Sequence, residues 1–462
     1  MRYRVPYLEV FVAALVFYSG AWGGEKTSIR AIGMAGAVAS ASYGLDASGG
    51  NPANIGLRDD WIVELGFFRF GLYAASDFLS YDIYTKYFTG TEGGEGRVPV
   101  FLNEAAKQEI LAEFDGPLGR MNIGFETLLF GVAVKASPSV GVAFTVREQV
   151  RGFMEMPRNY VEFLLVGNPA GSLYDLSGLQ IQGSWFRTYG LSAGFEVPLL
   201  NSRSDLTVGL TGKLVHGFST YSTVSRDTRV ETADNGTLTG EFHFATRHAG
   251  IDFDEARKLS EYGLFLSPAG TGFGVDFGIT ASLNSFLSTS LSVTDIGSIK
   301  WRDHARESIV DTTLIIDDIL SVDQRKAIDR VISHQEQSIP SFTTSLPTLV
   351  RLGFAVQLDR VPRLLISVPL LVAIEYTQGI ENVPGSSTKP RFSLGGEYQP
   401  IPWLLLRSGF SVGGGENPAL ALGLGFELST LRFAIATEDL SWVFAPGSFS
   451  HGSIAAGFAL SF

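Results

Sequence analysis

The chain ends in Ser453-Ile-Ala-Ala-Gly-Phe-Ala-Leu-Ser-Phe462. In this stretch the large apolar side chains all fall on even positions, and the odd positions hold only small residues. Successive side chains of a β-strand point to opposite faces of the sheet, so one face here is apolar and the other carries only Ser, Ala and Gly. An apolar face opposite a face of small residues, ending on an aromatic residue, is typical of the closing strand of a membrane barrel. We therefore predict that the apolar face meets lipid and that the other face lines a lumen.

Other segments alternate in the same way. In Gly272 to Leu283 and in Asn417 to Leu428, apolar residues take every second position, opposite Gly, Ala and polar residues. Beyond the N-terminal residues, no uncharged apolar stretch approaches the ~20 residues that a spanning helix needs. A membrane protein without such helices must close its sheet, because hydrocarbon tolerates neither free backbone groups nor an open edge. The sequence therefore predicts an all-β, transmembrane, antiparallel up-and-down β-barrel.

The amino-acid composition excludes several other folds, sites and partners. A soluble β-sandwich or propeller would also show many short strands, but it needs polar outward faces, and the outward candidates here are Leu, Phe, Val and Ile. The chain has no cysteine, which excludes a disulfide framework and a thiolate site. Its formal net charge is −12, and no segment combines clustered Lys and Arg with aromatic residues. Nucleic acid is therefore not an expected partner.

Turn residues assign the connections to alternating sides of the membrane if Phe462 lies at the periplasmic end. Short turns are predicted near Ser429, Gln399 to Pro402, Asp359 to Pro362, Asn284-Ser285, Pro198 to Arg203 and Ala136-Ser137. Longer connections are predicted at Asp439 to Ser450, Gly413 to Pro418, Gln378 to Lys389, 299–347, 220–271, 151–182 and 75–125. Short periplasmic turns and long outer loops alternate in bacterial barrels, so we expect about 14 strands, the first at Trp61 to Tyr73. The total could differ by about two, since Thr237 to Thr246 could be a further strand.

Two of the long connections contain apolar residues near helical spacing. Phe101 to Phe114 and Asp317 to His334 are both predicted to be amphipathic helices of the outer loops. They could cap the rim by packing against other loops, or they could form a landing site for an apolar substrate.

The N-terminal part divides into two segments. Residues 1–23 combine two arginines, a short apolar run and small residues, and we predict a secretory signal cleaved after Ala21 or Gly23. Residues 24–60 are dense in Gly, Ala and Ser and almost free of charge, which suits a segment folded into the barrel mouth as a plug, or hatch. The barrel itself is predicted to occupy 61–462.

Short motifs carry a family resemblance. The run Arg30-Ala-Ile-Gly-Met-Ala-Gly-Ala37, followed by Asp46-Ala47 and Asn51-Pro52-Ala53, resembles the N-terminal hatch of the FadL-type outer-membrane proteins, which transport long-chain fatty acids and hydrocarbons. It is also similar to their relative PorV, a shuttle in type IX secretion. Further motifs are similar to an uncharacterised branch of predicted barrels within that superfamily: Leu173 to Ser177, Thr294 to Gly297 and Ser345 to Pro347.

The resemblance implies a fourteen-stranded barrel in the bacterial outer membrane, plugged by the hatch. Hydrophobic ligands would be captured at the outer loops and released through a hatch shift or a lateral opening. The hatch positions that match the family are Gly33, Gly36, Asn51, Pro52 and Ala53. Phe462 matches the C-terminal residue through which such barrels engage the barrel-assembly machinery. No basic residue for a fatty carboxylate can be assigned by this comparison.

No catalytic, metal or cofactor site is predicted. The 6 histidines lack metal-ligand spacing and are expected to be solvated loop or rim residues. The nearest Ser–His pairings, His451-Gly-Ser453 and His216 to Ser219, have no recognisable orienting group nearby, so we do not expect an enzyme.

The leading functional hypothesis is passive uptake of hydrophobic small molecules, such as long-chain fatty acids. It depends on the hatch-like segment and on a lumen face expected to offer few charges, which also disfavours a general porin. The alternative is a non-transport barrel: an accessory or shuttle for protein export, or a structural barrel whose outer loops bind a protein partner.

Overall fold

Fourteen antiparallel strands form a closed ring in the computed structural model, which describes residues 26–57, 62–93, 96–197, 205–250, 267–317, 336–362, 364, 368–440 and 451–462. In chain order the strands are β1 (Val63–Ser76), β2 (Leu118–Ser137), β3 (Val140–Pro157), β4 (Gln180–Val197), β5 (Asp205–Ser225), β6 (Gly270–Ser282), β7 (Leu287–Trp301), β8 (Leu349–Gln357), β9 (Leu370–Gly379), β10 (Arg391–Ile401), β11 (Leu404–Gly413), β12 (Glu416–Leu428), β13 (Leu431–Thr437) and β14 (His451–Ser461). Each strand pairs with its sequence neighbours, and β1 pairs with both β2 and β14. The predicted fold is confirmed.

Strand alternation separates an oily exterior from a buried interior. On β12, Leu420 and Leu422 are 47% and 38% exposed on the outer face, whereas Ala421 between them is fully buried. The same pattern on β14 exposes Ile454 and Phe458. A continuous apolar exterior without a sheet edge is a structure built to span a bilayer. None of the described helices is both long and apolar enough to cross one.

The connections follow the predicted alternation of short and long with two exceptions. The short turn predicted at Asp359 to Pro362 is a longer connection, because β8 ends at Gln357 and β9 begins only at Leu370. Gly413 to Pro418 was expected to be a longer outer connection, but β11 ends at Gly413 and β12 begins at Glu416. Gly413, Gly414 and Gly415 have φ values of 86°, 76° and 92°, which only glycine adopts without strain, and this allows a tight turn. The glycines therefore mark a sharp reversal rather than a long loop.

Short helices and additional strands lie before β1 and between the strands of the ring. The α-helices are α1 (Ile29–Gly33), α2 (Tyr81–Tyr87), α3 (Glu104–Ala112) and α4 (Arg158–Val166), with 3-10 turns at Gly44–Ala47, Pro52–Gly56 and Leu358–Arg360. Additional strands lie at Thr91–Gly93, Gly96–Val98, Leu173–Asp175, Arg229–Thr232, Leu238–Gly250, Arg306–Ile316, Gln337–Ser338 and Phe342–Ser345.

The helix predicted at Phe101 to Phe114 is α3, which begins three residues later because Asn103 caps it, its side chain accepting a hydrogen bond from the Ala106 N–H at 2.9 Å. The helix predicted at Asp317 to His334 and the signal peptide lie outside the described residues, apart from Asp317 itself.

The uncertain strand near Thr237 does not add a fifteenth member to the ring. Strand Leu238–Gly250 pairs with the C-terminal end of β5, from Ser219 to Ser225. Strand β6 pairs with the rest of β5, from Asp205 to Gly217. The two segments thus occupy one ring position in succession. Arg306–Ile316 extends β7 in the same way and pairs with Leu238–Gly250, so the wall rises higher on this side.

We expect Leu424→Arg on β12 to destabilise the protein by about 2–4 kcal/mol, because it places a charge on the lipid face. Unfolding by urea in lipid vesicles measures this change. The matched control is Leu173→Arg in the short outer strand, where a 63% exposed leucine already faces water. The control should change stability by less than about 0.5 kcal/mol, and equal losses in both variants would contradict the assignment of the lipid face.

Candidate functional site

Residues 26–57 lie inside the ring, and we call them the plug. Helix α1 packs on β11, β12, β13 and β14, whereas the 3-10 turn Pro52–Gly56 packs chiefly on β4, β5 and β6. These two groups of strands stand on opposite sides of a fourteen-membered ring. The plug therefore spans the bore from one wall to the other.

One end of the plug rests on three wall glycines, which we call the first seat: Gly395, Gly409 and Gly423 of β10, β11 and β12. A Cβ atom added at Gly395 would lie 2.7 Å from the Met34 carbonyl oxygen, and one at Gly409 would lie 2.6 Å from the Ala35 nitrogen. These distances are too short for any side chain. The plug backbone can approach the wall here because glycine has no Cβ.

The opposite end rests on a second seat, formed by Gly194, Gly209 and Gly278 of β4, β5 and β6. A Cβ atom at Gly194 would lie 2.8 Å from the Pro52 carbonyl oxygen, and one at Gly278 would lie 3.0 Å from Pro52 Cδ. The inward glycines thus accommodate the plug rather than leave an open channel.

Neutral hydrogen bonds complete the second seat. The buried Asn51 amide donates to Thr280 Oγ1 at 2.8 Å and to the Ala39 carbonyl at 2.9 Å. Its oxygen accepts from the Ala53 N–H at 3.2 Å, which caps the 3-10 turn, and Pro52 takes the first position, where no N–H is required. Asn54 donates to the same Ala39 carbonyl at 2.8 Å. These hydrogen bonds of the second seat join only uncharged groups.

The expectation of a lumen with few charges is wrong. Buried charged side chains of the wall include Glu64, Arg69, Glu126, Arg147, Arg151, Lys213, Asp276, Arg351, Glu375, Arg391, Arg407 and Glu438. Buried charges are tolerated when they are paired and hydrogen-bonded, and many of these pair with the plug or with one another.

Two ionic contacts hold the part of the plug around α1. Lys26 Nζ lies 2.7 and 2.6 Å from the two carboxylate oxygens of Glu438, and the Lys26 N–H donates to Glu126 at 3.0 Å. Arg30 binds Glu397 through two parallel hydrogen bonds of 2.8 and 2.7 Å, and Arg407 donates to the same carboxylate at 2.7 Å. Two-point Arg–carboxylate pairing is the strongest form of this contact.

Further charges meet plug backbone and side chains. The Glu375 carboxylate accepts the N–H groups of Val38 and Ala39 at 2.9 and 2.8 Å. Arg69 bridges Asp46 of the plug and Glu64 of the wall at 2.9 and 2.8 Å. The plug is thus attached by neutral backbone contacts at one end and largely by ion pairs at the other.

The model of a family of unknown function (DUF5723) matches residues 52–438. The chain belongs to this family. Among curated proteins, none matches the sequence.

Solved structures similar to this DUF5723 barrel include two toluene transporters and a FadL homologue. The toluene transporter TbuX of Ralstonia pickettii is 10% identical, with 94% of this chain and 98% of that chain covered and a TM-score of 0.46. A FadL homologue of Pseudomonas aeruginosa is 12% identical, with 96% and 99% covered and a TM-score of 0.47. The toluene transporter TodX of Pseudomonas putida is 12% identical, with 96% and 99% covered and a TM-score of 0.44. The match to a family of unknown function agrees with the predicted place of the chain in an uncharacterised branch.

The structure places four of the five predicted hatch residues of this DUF5723 barrel at the seats. Gly33 meets the first seat, where its added Cβ would lie 3.0 Å from the Gly423 Cα. Asn51, Pro52 and Ala53 occupy the second seat. Gly36 lies in the turn after α1 with a φ of 93°, so its backbone conformation explains the glycine. That these residues gate the bore stays a prediction.

Phe462 joins the two ends of the ring. Its N–H donates to the Val63 carbonyl at 2.9 Å, and its carbonyl accepts from the N–H groups of Ile62 and Val63 at 2.6 and 3.1 Å. Its side chain is 61% exposed on the outside of the barrel. Its role as a signal for the assembly machinery stays a prediction.

Sequence reasoning missed the ionic residues of the wall and misjudged one histidine. His451 was expected to be solvated, but it is only 4% exposed, and its Nδ1 lies 3.4 Å from Asp439 Oδ2. Within the described ranges, no group of three or more His, Cys, Asp or Glu residues is arranged to hold a metal ion.

We expect Gly395→Val to displace the plug from the first seat, because its Cβ would overlap the Met34 carbonyl. Overpacking of this kind costs about 1–3 kcal/mol. Thermal unfolding and ion conductance in planar bilayers both report the change, with a lower melting temperature and a higher conductance. The control is Gly396→Val on the same strand, where the nearest atom to an added Cβ is 3.8 Å away. Identical behaviour of the two variants would contradict the seat.

We expect Glu397→Gln to cost about 3–5 kcal/mol, because it leaves Arg30 and Arg407 buried without their shared carboxylate. In the double variant Arg30→Met/Glu397→Gln, one of these two cations is also removed, so part of the loss should be recovered. A double-mutant cycle on chemical unfolding measures the coupling. Strictly additive effects would show that the pair does not hold the plug.

Proposed function

We propose that this protein resides in the bacterial outer membrane and passes hydrophobic small molecules, such as long-chain fatty acids, passively across it, with the plug as the movable barrier. The observation that carries the proposal is a ring whose pairing is complete without the plug. Because the wall keeps its own hydrogen bonds, the plug can shift without exposing an edge to lipid.

A cavity on the side of the short turns supports this proposal. It has a volume of about 430 Å³ and lies between the plug and the wall, with Leu57, Phe286 and Leu371 among its apolar lining residues. Ligand sites for small molecules are typically about 300–1,000 Å³. Its charged lining residues are two arginines, Arg30 and Arg360, and three carboxylates, Asp359, Glu397 and Glu427, so the cavity offers no excess of positive charge to a head group.

The ionic end of the plug borders this cavity. Arg30 and Glu397 line the cavity and also form the link between α1 and the wall. A shift of the plug around α1 would widen the cavity towards the bore, while the neutral second seat stays in place. We therefore assign the movement to the α1 end of the plug.

The outer loops offer apolar side chains to water, which suits the capture of an apolar compound. Phe101 before α3 is 90% exposed, Leu164 on α4 is 65% exposed and Phe88 after α2 is 53% exposed. The same surface fits the second candidate function, a structural or accessory barrel with a protein partner at these loops, since exposed apolar side chains also mark protein contacts.

Uptake into proteoliposomes separates the two candidates. The full chain in vesicles should accelerate entry of an apolar fluorescent fatty acid analogue over protein-free vesicles at matched lipid content. Equal rates would contradict the transport proposal. Co-purification of a stoichiometric protein partner together with equal rates would favour the accessory function.

A disulfide staple tests whether the plug must move. The chain has no cysteine, and an added Cβ at Gly353 on β8 would lie 3.2 Å from the Ala39 Cβ of the plug, close to the ~3.5–4.5 Å of natural disulfides. We expect oxidised Ala39→Cys/Gly353→Cys to block uptake and reduction to restore it. Either single variant should transport in both redox states. Unchanged uptake through the stapled barrel would show that passage does not require movement of the plug at Ala39.

A further inference from the structure

A second, smaller cavity lies in the middle of the bore, away from the one on the short-turn side. It has a volume of about 20 Å³, and its lining comes from the plug at Gly49, from the β9–β10 loop at Gly385, and from six strands. A cavity needs roughly 10–15 Å³ to hold one water-sized group. This cavity therefore admits one small group and excludes a head group that carries a chain.

The lining of this cavity is rich in positive charge. Four cations and two carboxylates line it: Arg147, Arg151, Lys213, Arg351, Glu126 and Asp295. Two further carboxylates, Asp276 and Glu375, contact Lys213 and Arg351 but do not line the cavity. The nearest charges dominate the electrostatic energy of a buried ion, so the excess of cations at the cavity surface favours an anion.

One buried donor at the cavity lacks a partner. Arg151 is 7% exposed, and its Nε has no hydrogen-bond acceptor among the described residues. Two neutral side chains line the same cavity, Gln149 on β3 at 8% exposure and Thr188 on β4 at 4%. Buried polar groups are normally satisfied, and a bound water or ion is a common reason when protein atoms do not satisfy them.

We propose that this cavity binds a single monatomic anion of the chloride class between the plug and the outer loop. The ion would accept hydrogen bonds from the Gln149 amide, the Thr188 hydroxyl and Arg151 Nε. Because Gly49 belongs to the plug, the ion would steady the plug against β3 and β4. The proposal does not depend on transport, so it can fail or hold separately from the proposed function.

Anomalous diffraction locates the ion directly. Crystals of the full chain grown in sodium bromide should show a bromide peak in the cavity. A cavity that contains only water, with bromide at surface positions alone, would overturn the proposal.

Thermal unfolding in detergent measures the coupling to stability. At equal ionic strength, chloride and bromide should raise the melting temperature over gluconate, which is too large for the cavity. Above half-saturation we expect a rise on the order of 2 °C for each tenfold increase in halide. Equal melting temperatures in gluconate and chloride would overturn the proposal.

Two variants identify the site. Thr188→Val preserves shape and removes one donor, so halide affinity should fall about tenfold or more. Gln149→Glu supplies a carboxylate in place of the ion, so the melting temperature should become independent of halide. The control Gln337→Glu lies in an exposed outer strand and should keep the halide response. A full halide response in Thr188→Val or in Gln149→Glu would exclude the cavity as the site.

Discussion

The rest of this structure depends on the packing of the plug inside the closed sheet. A ring of fourteen strands encloses more space than small inward side chains can fill, and an empty apolar or glycine-lined bore would forfeit contacts on every side. The plug supplies those contacts. It does so at backbone distance, because Gly209 and Gly409 on opposite walls leave room for the plug main chain to touch the sheet.

This fit explains why alternation along the strands could be recognised without any structure. The lipid face must be apolar at every second position, and the turn residues must recur wherever the chain reverses, so both signals are local in sequence. Strand order and most of the alternation of connections follow from such local signals, whereas the helix start predicted at Phe101 missed the cap of α3 at Asn103. The turn at Gly413 to Glu416 was misjudged because consecutive glycines fit both a long loop and a sharp reversal. Only the φ values distinguish the two.

The charges of the bore could not be predicted in the same way. Lys26 and Glu438 stand 412 positions apart, and neither residue carries a local sign that it will be buried with the other. The strands with the cleanest alternation, such as β14 and β12, have inward faces of mostly small residues. These strands therefore indicated a lumen with few charged side chains. The charged positions lie largely on β1 to β3, β5, β6 and β8 to β11, opposite plug segments whose position only the fold defines. The hatch motif identified residues of the plug. The wall residues that contact them can be identified only in the folded structure.

The paired charges also bear on what the bore can admit. A porin presents charged rings to a water-filled channel, where each charge can attract a passing ion. Here Glu397 is already bound by Arg30 and Arg407, and Glu438 by Lys26, so these charges are neutralised where they stand. Beside the 430 Å³ cavity on the short-turn side, which Arg30 also lines, the cavities along the bore are small, about 50 Å³ between Arg30 and Arg407 and 20 Å³ beside Arg151. An ion moving through would have to break buried pairs at several kcal/mol each, which is unfavourable for hydrophilic conduction. An apolar compound that displaces α1 as a unit would separate only the pairs at that end of the plug, and it would leave the neutral seat at Asn51 intact.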